Sequence, residues 1–330
     1  MVSKQMIYDA YGRLSGNIRK TPILSSPFLD KIAGKRLLIK AECLQHTGSF
    51  KYRGAWSAIS ALCWKSPLRG VIAYSSGNHA QAVAAVAKLF GLSAVIVMPS
   101  DAPKLKIENT RYYGAEVILY DRESESREEI GSYIAKKRGL SLIRPYDDPF
   151  VIAGQGTLGI EMVEQLDQMG VKKSDVLVCC GGGGLSAGVT LALNDRAPDL
   201  IVRPCEPEFF DDTTRSLKSG KRESNKGGHN SICDAILTPT PGENTFPILK
   251  EFSGSGLVVS DDEVLEAMFE SYLRLKLVIE PGGAVALASA LYRTREIKGD
   301  TVVAVVTGGN VDFETLKLAF SSKQKRHNLR

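Results

Sequence analysis

The stretch "VLVCCGGGGLSAGVTLAL", residues 176–193, carries the reading of the fold. It opens on an apolar run without polar alternation, the pattern of a strand buried on both faces. It closes on a helix-length run of small and apolar residues. Between them Gly181, Gly182, Gly183 and Gly184 leave consecutive backbone N–H groups free to surround an anion at a helix start. A flexible linker is the ordinary home of a glycine run, but a linker is not clamped between a strand and a helix. The segment reads as strand, phosphate cradle and helix.

Working outward, the same kind of apolar run recurs in "RLLIK" (36–40), "GVIAYSS" (70–76), "SAVIVMP" (93–99), "AEVILYD" (115–121), "LIVRPCE" (200–206) and "TVVAVVTGGN" (301–310). Between them "NHAQAVAAVAKLFG" (78–91), "APKLKIENTRYYG" (102–114) and "SREEIGSYIAKKRG" (126–139) read as helices stopped by glycine. Buried strands alternating with helices predict an α/β fold whose parallel strands are covered on both faces. Such sheets bind ligands beyond the carboxyl ends of their strands. The loops "SSGNH" (75–79), "GGGG" (181–184) and "TGGN" (307–310) therefore stand where chemistry is expected.

Composition narrows the function class. A chain of 330 residues, 43% hydrophobic, can bury a large core. No apolar run approaches the roughly 20 residues of a membrane span, and the N-terminus lacks the apolar centre of a signal peptide, so a cytoplasmic location is expected. The six cysteines show no paired spacing and read as reduced, mostly buried thiols. A net charge of +5 is mild, and the basic tail "KQKRHNLR" (323–330) reads as a solvated terminus rather than a nucleic-acid patch. The expected partner is a small molecule, with neither nucleic acid nor membrane. No repeat or linker divides the chain, which points to two subdomains interleaved in sequence.

Whose phosphate the cradle holds is left open by the glycines alone. Gly182, Gly184 and Ala187 fit the dinucleotide spacing G-x-G-x-x-A, with Glu206 where a ribose-binding acid would stand. That reading leaves "TGSFK" (47–51), "SSGNH" and "TGGN" without a task. A cofactor with one phosphate and one aldehyde uses them all, because a lysine amine can bond to the aldehyde while the glycine loop holds the far end. That cofactor is pyridoxal 5'-phosphate. The ordered blocks "TGSFKYRGA" (47–55), "SSGNHAQAVA" (75–84), "VIAGQGT" (151–157), "GGGGLSAG" (181–188), "IEPGGAVALA" (279–288) and "TGGNVD" (307–312) resemble the fold-type II pyridoxal-phosphate enzymes of the serine racemase and threonine dehydratase family, over nearly the whole chain.

The resemblance implies roles residue by residue. Lys51 matches the lysine that carries the cofactor, and Phe50 a residue packed against its ring. Gly181, Gly182, Gly183, Gly184 and Leu185 match the phosphate loop, Asn78 the partner of the phenolic oxygen, and Thr307 the hydroxyl facing the pyridine nitrogen. A neutral hydroxyl there gives a weaker electron sink, which favours elimination over transamination. Ser75, Ser76, Asn78 and His79 match the substrate loop, with Ser76 the base on the face opposite Lys51. On helix rules alone Ser75, Ser76 and Asn78 would cap a helix, and His79 is expected to hold a structural hydrogen bond. Arg127 matches an arginine near the substrate in serine racemases and is equally placed for an i,i+4 ion pair. Tyr146 departs from the asparagine of some racemases. Glu206, Asp212 and the carbonyl of Phe210 match a cation site of oxygen ligands suited to Mg²⁺ or Ca²⁺, and Asp211 is expected to cap the next turn.

The implied architecture is a large cofactor domain (1–69 and 148–330) with a small mobile α/β domain (70–147), assembled as a homodimer, and without a C-terminal regulatory domain. The implied activity is deamination of L-threonine or L-serine to a 2-oxo acid and ammonia. Serine racemase and L-threo-3-hydroxyaspartate ammonia-lyase are the alternatives that share every block.

Overall fold

The computed structural model describes residues 2–327, with side chains described through Ser321, so the side chains of the basic tail lie outside the described residues. Ten strands form two sheets: β1 (Ile23–Ser25), β2 (Arg36–Ala41), β3 (Gly70–Tyr74), β4 (Ser93–Pro99), β5 (Glu116–Tyr120), β6 (Ser141–Leu142), β7 (Ser174–Cys179), β8 (Leu200–Pro207), β9 (Leu257–Val259) and β10 (Thr301–Val306). The larger sheet runs β1-β2-β10-β7-β8-β9 and the smaller β5-β4-β3-β6. Every described pairing is parallel except β1 with β2.

The seven apolar runs read from the sequence are β2, β3, β4, β5, β7, β8 and β10. The remaining three strands are short: β6 has two residues and β1 and β9 three each. An edge strand of that length shows no period. The runs read from the sequence pair parallel with one another, and the antiparallel pairing belongs to the short edge strand β1.

The three helices read between these runs span Asn78–Leu89, Lys104–Tyr112 and Arg127–Arg138. Gly139 ends the last of them in the left-handed conformation at φ 65°. Ser126 caps its start by accepting from Glu129 N at 3.2 Å.

Helix Pro149–Gln168 organises the site from behind. Asp148 caps it through Phe150 N (2.8 Å) and Val151 N (3.0 Å), and Pro149 takes the first position, where no N–H is needed. This helix packs against helix Lys51–Lys65 and helix Gly184–Arg196, the two that carry the lysine and the glycine loop. The approach is so close that a Cβ on Gly156 would lie 2.8 Å from Gly188 O. This is the physical task of "VIAGQGT" and of the last glycine of "GGGGLSAG".

Beneath Lys51 lies a fully buried charge cluster. Arg53 forks onto Glu42 (2.8 Å twice) and onto Glu161 (2.8 and 2.9 Å). Lys40 Nζ donates to Glu161 (3.0 Å), Gln165 Oε1 (2.8 Å) and Thr21 O (2.7 Å). Two cations meet two carboxylates. Burial pushes the Glu42 carboxyl up, but Arg53, Lys40 and the Thr21 hydroxyl together outweigh it and hold the group below its ordinary value. No helix among the described residues is long and apolar enough to cross a membrane.

Candidate active site

Parallel register brings the carboxyl ends of β10 and β7 side by side, with Val305 opposite Val178, so Thr307 and the glycine loop emerge next to each other. Across from them β3 ends at Tyr74 and releases the 75–77 turn. One cavity between the two sheets is lined by Phe50, Lys51, Ser75, Ser76, Asn78 and His79, by Arg127, by residues 181–184 with Leu185, and by Thr307. All the residues expected to hold cofactor or substrate are therefore brought together. Glu206, Phe210 and Asp212 are not part of this lining.

Lys51 is the first residue of its helix. Its Nζ donates to Pro145 O at 2.7 Å and lies 5.2 Å from the centre of the Phe50 ring. Burial pushes its pKa down to about 8, against the opposing pull of Glu280. The partial positive charge of the helix start acts in the same direction as burial. At that value an appreciable fraction of the amine is unprotonated near neutral pH and available as a nucleophile or base.

His79 Nε2 meets Ile143 O at 2.9 Å. Burial first, and the Lys51 charge second, push its pKa down to about 3, so the ring is neutral. Asn78 does not cap its helix, and the cap position belongs to Gly77. Its amide is held instead by Glu280, to which Nδ2 donates, and by Asn310, whose Nδ2 donates to Asn78 Oδ1 at 2.8 Å. Ser75 Oγ accepts from Gly77 N at 3.2 Å and so fixes the turn.

The glycine loop has the form its sequence suggests. Gly183 sits at φ +86°, where a side chain is strained, and a Cβ on Gly182 would enter the Tyr146 ring. Just inside the helix, Ser186 Oγ is buried without a hydrogen-bond partner and lines the cavity. An unpartnered hydroxyl beside the free N–H groups of a helix start fits a phosphate. Both polar atoms of Gln155, in "VIAGQGT", are likewise buried, unpartnered and on the cavity lining.

Several further residues line this cavity without a motif that marks them in the sequence. Glu280 stands in a quoted block yet was given no role; a lone acid ahead of Pro281 at a helix start was the available signal. It is fully buried and reaches Asn78, Lys106 (3.5 Å) and the Lys51 field. Lys106 also pairs with Asp234 at 2.9 Å, joining the two sides of the cleft. Arg122 joins Arg127 on the lining. Arg127 pairs with Glu128 (2.8 Å) rather than with a residue four positions on, and lies 5.3 Å from the Tyr74 ring centre. Lys106 and Arg122 have no local sequence signature, because their place in the cavity depends on which loops the two sheets bring face to face.

Away from this lining, at the carboxyl end of β8, Glu206 and Asp212 form a second group. Glu206 accepts from Thr213 N (2.9 Å), Thr214 N (2.7 Å) and Thr214 Oγ1 (2.6 Å). Glu206 therefore serves the start of helix Asp212–Ser219, and Asp211 does not: its side chain pairs with Arg215 at 3.1 Å. That corrects the expected cap. Asp212 Oδ1 accepts from Asn225 at 2.6 Å, and its Oδ2 is buried without a partner. Burial raises both carboxyls well above their ordinary values, and the neighbouring Asp212 charge adds to the shift at Glu206. Two buried carboxylates and a free oxygen are a donor set for a hard cation. Glu206 would have to share oxygens already used by Thr213 and Thr214. Among the described residues no group of three or more His, Cys, Asp or Glu is placed to hold a metal.

Residues 14–308 match the family model described as pyridoxal-phosphate dependent enzyme. The chain belongs to this family. It is 41% identical over 308 residues to an L-threo-3-hydroxyaspartate ammonia-lyase of Pseudomonas sp, covering 93% of this chain and 95% of the relative. A serine racemase of Schizosaccharomyces pombe is 38% identical over 308 residues, with 93% and 94% covered. The crystal structure of a T.th. threonine deaminase superposes with a TM-score of 0.89 at 43% identity over 94% of this chain and 99% of that one. Maize serine racemase does so with 0.88 at 35% identity over 99% of each. The fold is the fold-type II α/β architecture, and the chain is an enzyme of a family of ammonia-lyases and racemases.

Proposed function

We propose that the protein is a pyridoxal-phosphate-dependent lyase that removes water from a β-hydroxy amino acid, L-threonine or L-serine, releasing a 2-oxo acid and ammonia. The observation that carries this reading is the desolvated amine of Lys51, at about 8, in one cavity with a glycine cradle and an unpartnered Ser186 hydroxyl. Residues 181–184, Leu185 and Ser186 would hold the phosphate, Phe50 would pack on the ring, Asn78 would face the phenolic oxygen and Thr307 the ring nitrogen. When bound, the cofactor supplies an aldehyde and a sink for the electrons left as the Cα–H bond breaks. Lys51 would contribute an amine that bonds to that aldehyde with loss of water, is set free when the substrate amine takes its place there, and only then accepts the Cα proton at Nζ. Ser75 and the loop N–H groups orient the α-carboxylate. The β-carbon to oxygen bond then breaks, the hydroxyl leaves as water after taking up a proton, and the released enamine hydrolyses to 2-oxo acid and ammonia.

A distal carboxylate on the substrate, as in 3-hydroxyaspartate, is the second reading, favoured by Arg122 and Arg127 on the cavity lining. Glu206, Asp212 and the Phe210 carbonyl would hold Mg²⁺ or Ca²⁺. Residues 70–147 would move as a small domain against 1–69 and 148–330, because the smaller sheet lies wholly within that span and Lys106 and Asn78 bridge the cleft. The assembly is proposed to be a homodimer.

The test is release of 2-oxo acid from L-threonine, L-serine and L-threo-3-hydroxyaspartate by the cofactor-loaded enzyme, with and without Mg²⁺. Turnover of none of the three would contradict the reading. Ser76 adds a second outcome, because inversion at Cα needs a proton carrier on the face opposite Lys51. The wild type is expected to form some D-serine from L-serine, and Ser76→Ala to lose it while keeping most elimination. An unchanged D:L ratio in Ser76→Ala would remove Ser76 from that role.

A further inference from the structure

Residues 234–239 form one wall of the cavity. They contain only a short 3-10 turn, Asp234–Ile236, which presses on the glycine loop so closely that a Cβ on Gly181 would lie 3.1 Å from the Ile236 backbone. So irregular a segment needs external fastening. Its near end is held by Asp261, which accepts from Ser231 Oγ (2.6 Å) and Ile232 N (3.0 Å). Its far end is held by Asn225. The Asn225 N–H donates to Pro239 O at 2.8 Å, and Nδ2 donates to Thr238 O at 2.7 Å. The same Nδ2 donates to Asp212 Oδ1 at 2.6 Å, while Oδ1 accepts from Arg215 Nη2 at 2.6 Å. Arg215 in turn binds Ser224 O (3.1 Å) and Asp211 (3.1 Å).

We propose that Asn225 is a positioning residue for the reaction, fixing the cavity wall 234–239 to the Asp212 carboxylate and so setting substrate affinity from outside the cavity. Asn225 does not line the cavity, whereas Thr238 and Pro239, whose carbonyls it holds, both do. The bond to Asp212 Oδ1, at 2.6 Å, goes to an acceptor on a regular helix, which makes helix Asp212–Ser219 the fixed end and the irregular wall the steered one. Without the Asn225 amide, the wall is in its binding geometry only part of the time. Apparent affinity then falls by that fraction, while the bound complex reacts as before.

The kinetic arm rests on the proposed lyase activity, whereas hydrogen exchange of the wall does not, so the two can fail separately. In the cofactor-loaded enzyme, Asn225→Ala is expected to raise KM for the β-hydroxy amino acid turned over fastest by on the order of tenfold, with kcat changed by less than about threefold. Amide exchange in 234–239 should accelerate by a similar factor, with helix Pro149–Gln168 unchanged. Arg215→Met, which removes one donor from Asn225 and lies off the cavity lining, should give a smaller shift of the same sign if Asn225→Ala fails to fold. Wild-type KM together with wild-type exchange of 234–239 in either folded variant would overturn the proposal. So would a loss confined to kcat.

Discussion

Two groups of buried carboxylates sit on either side of the cavity and behave oppositely. Under Lys51, Glu42 and Glu161 meet Arg53 and Lys40 in a cluster with every charge balanced, and Glu42 is held ionised. Beyond the glycine loop, Glu206 and Asp212 have no buried cation between them, both carboxyls are raised, and one Asp212 oxygen has no partner. Burial costs each carboxylate a similar desolvation penalty. The difference lies in what offsets it. The first group is complete within the chain and holds helices Lys51–Lys65 and Pro149–Gln168 together. The second leaves one Asp212 oxygen without a partner, and burial without a buried cation favours the protonated forms of its carboxyls.

Breaking the balanced cluster is expected to give the largest effect. Arg53→Met leaves two buried carboxylates without their shared guanidinium and should cost about 3–5 kcal/mol in chemical denaturation. A loss under about 1 kcal/mol would show that the cluster is not structurally coupled to the fold.

The uncompensated pair should instead reveal itself through pH. Each of its carboxyls keeps a proton in the folded chain at pH values where the unfolded chain has released it. Their contribution to stability is full below the ordinary values of 4.5 for Glu206 and 3.8 for Asp212, and is lost as pH rises through the raised ones. Protein stripped with chelator is therefore expected to lose stability from about pH 4 to about pH 8. Adding Mg²⁺ or Ca²⁺ should flatten the slope, because a bound cation favours the ionised forms and stabilises only the folded state. Thermal melts across that range, with and without cation, check this; identical curves would remove the cation from the account.

The smallest effect belongs to Asp212→Asn, which removes one of the two charges and keeps an oxygen for Asn225. In chelator at pH 8 it should be more stable than wild type by on the order of 1 kcal/mol, and it should no longer respond to Mg²⁺.

The same contrast explains what could be read without coordinates. The seven longer strands and the glycine stops are local patterns, and so is the strand, cradle and helix of 176–193. The site residues inside quoted blocks were legible because each sits at the end of a strand or the start of a helix, where the chain itself exposes N–H groups or side chains. Glu280, Lys106 and Ser186 were not, because their meaning comes from partners more than a hundred residues away or from the absence of a partner. The Arg53 cluster was hidden for the same reason: Glu161 is an unremarked acid in an apolar helix until β2 and helix Lys51–Lys65 converge on it. Asp211, an apparent cap next to Asp212, was displaced by Glu206, which reaches the same N–H groups from the end of β8.

The central claim is that the lowered amine of Lys51 holds the cofactor and moves the Cα proton. Borohydride reduction of the cofactor-loaded protein, followed by peptide mass analysis, tests it most directly. The account requires the pyridoxyl group on Lys51 alone, with Lys51→Ala giving neither adduct nor turnover. An adduct on another lysine, or undiminished trapping in Lys51→Ala, would contradict it.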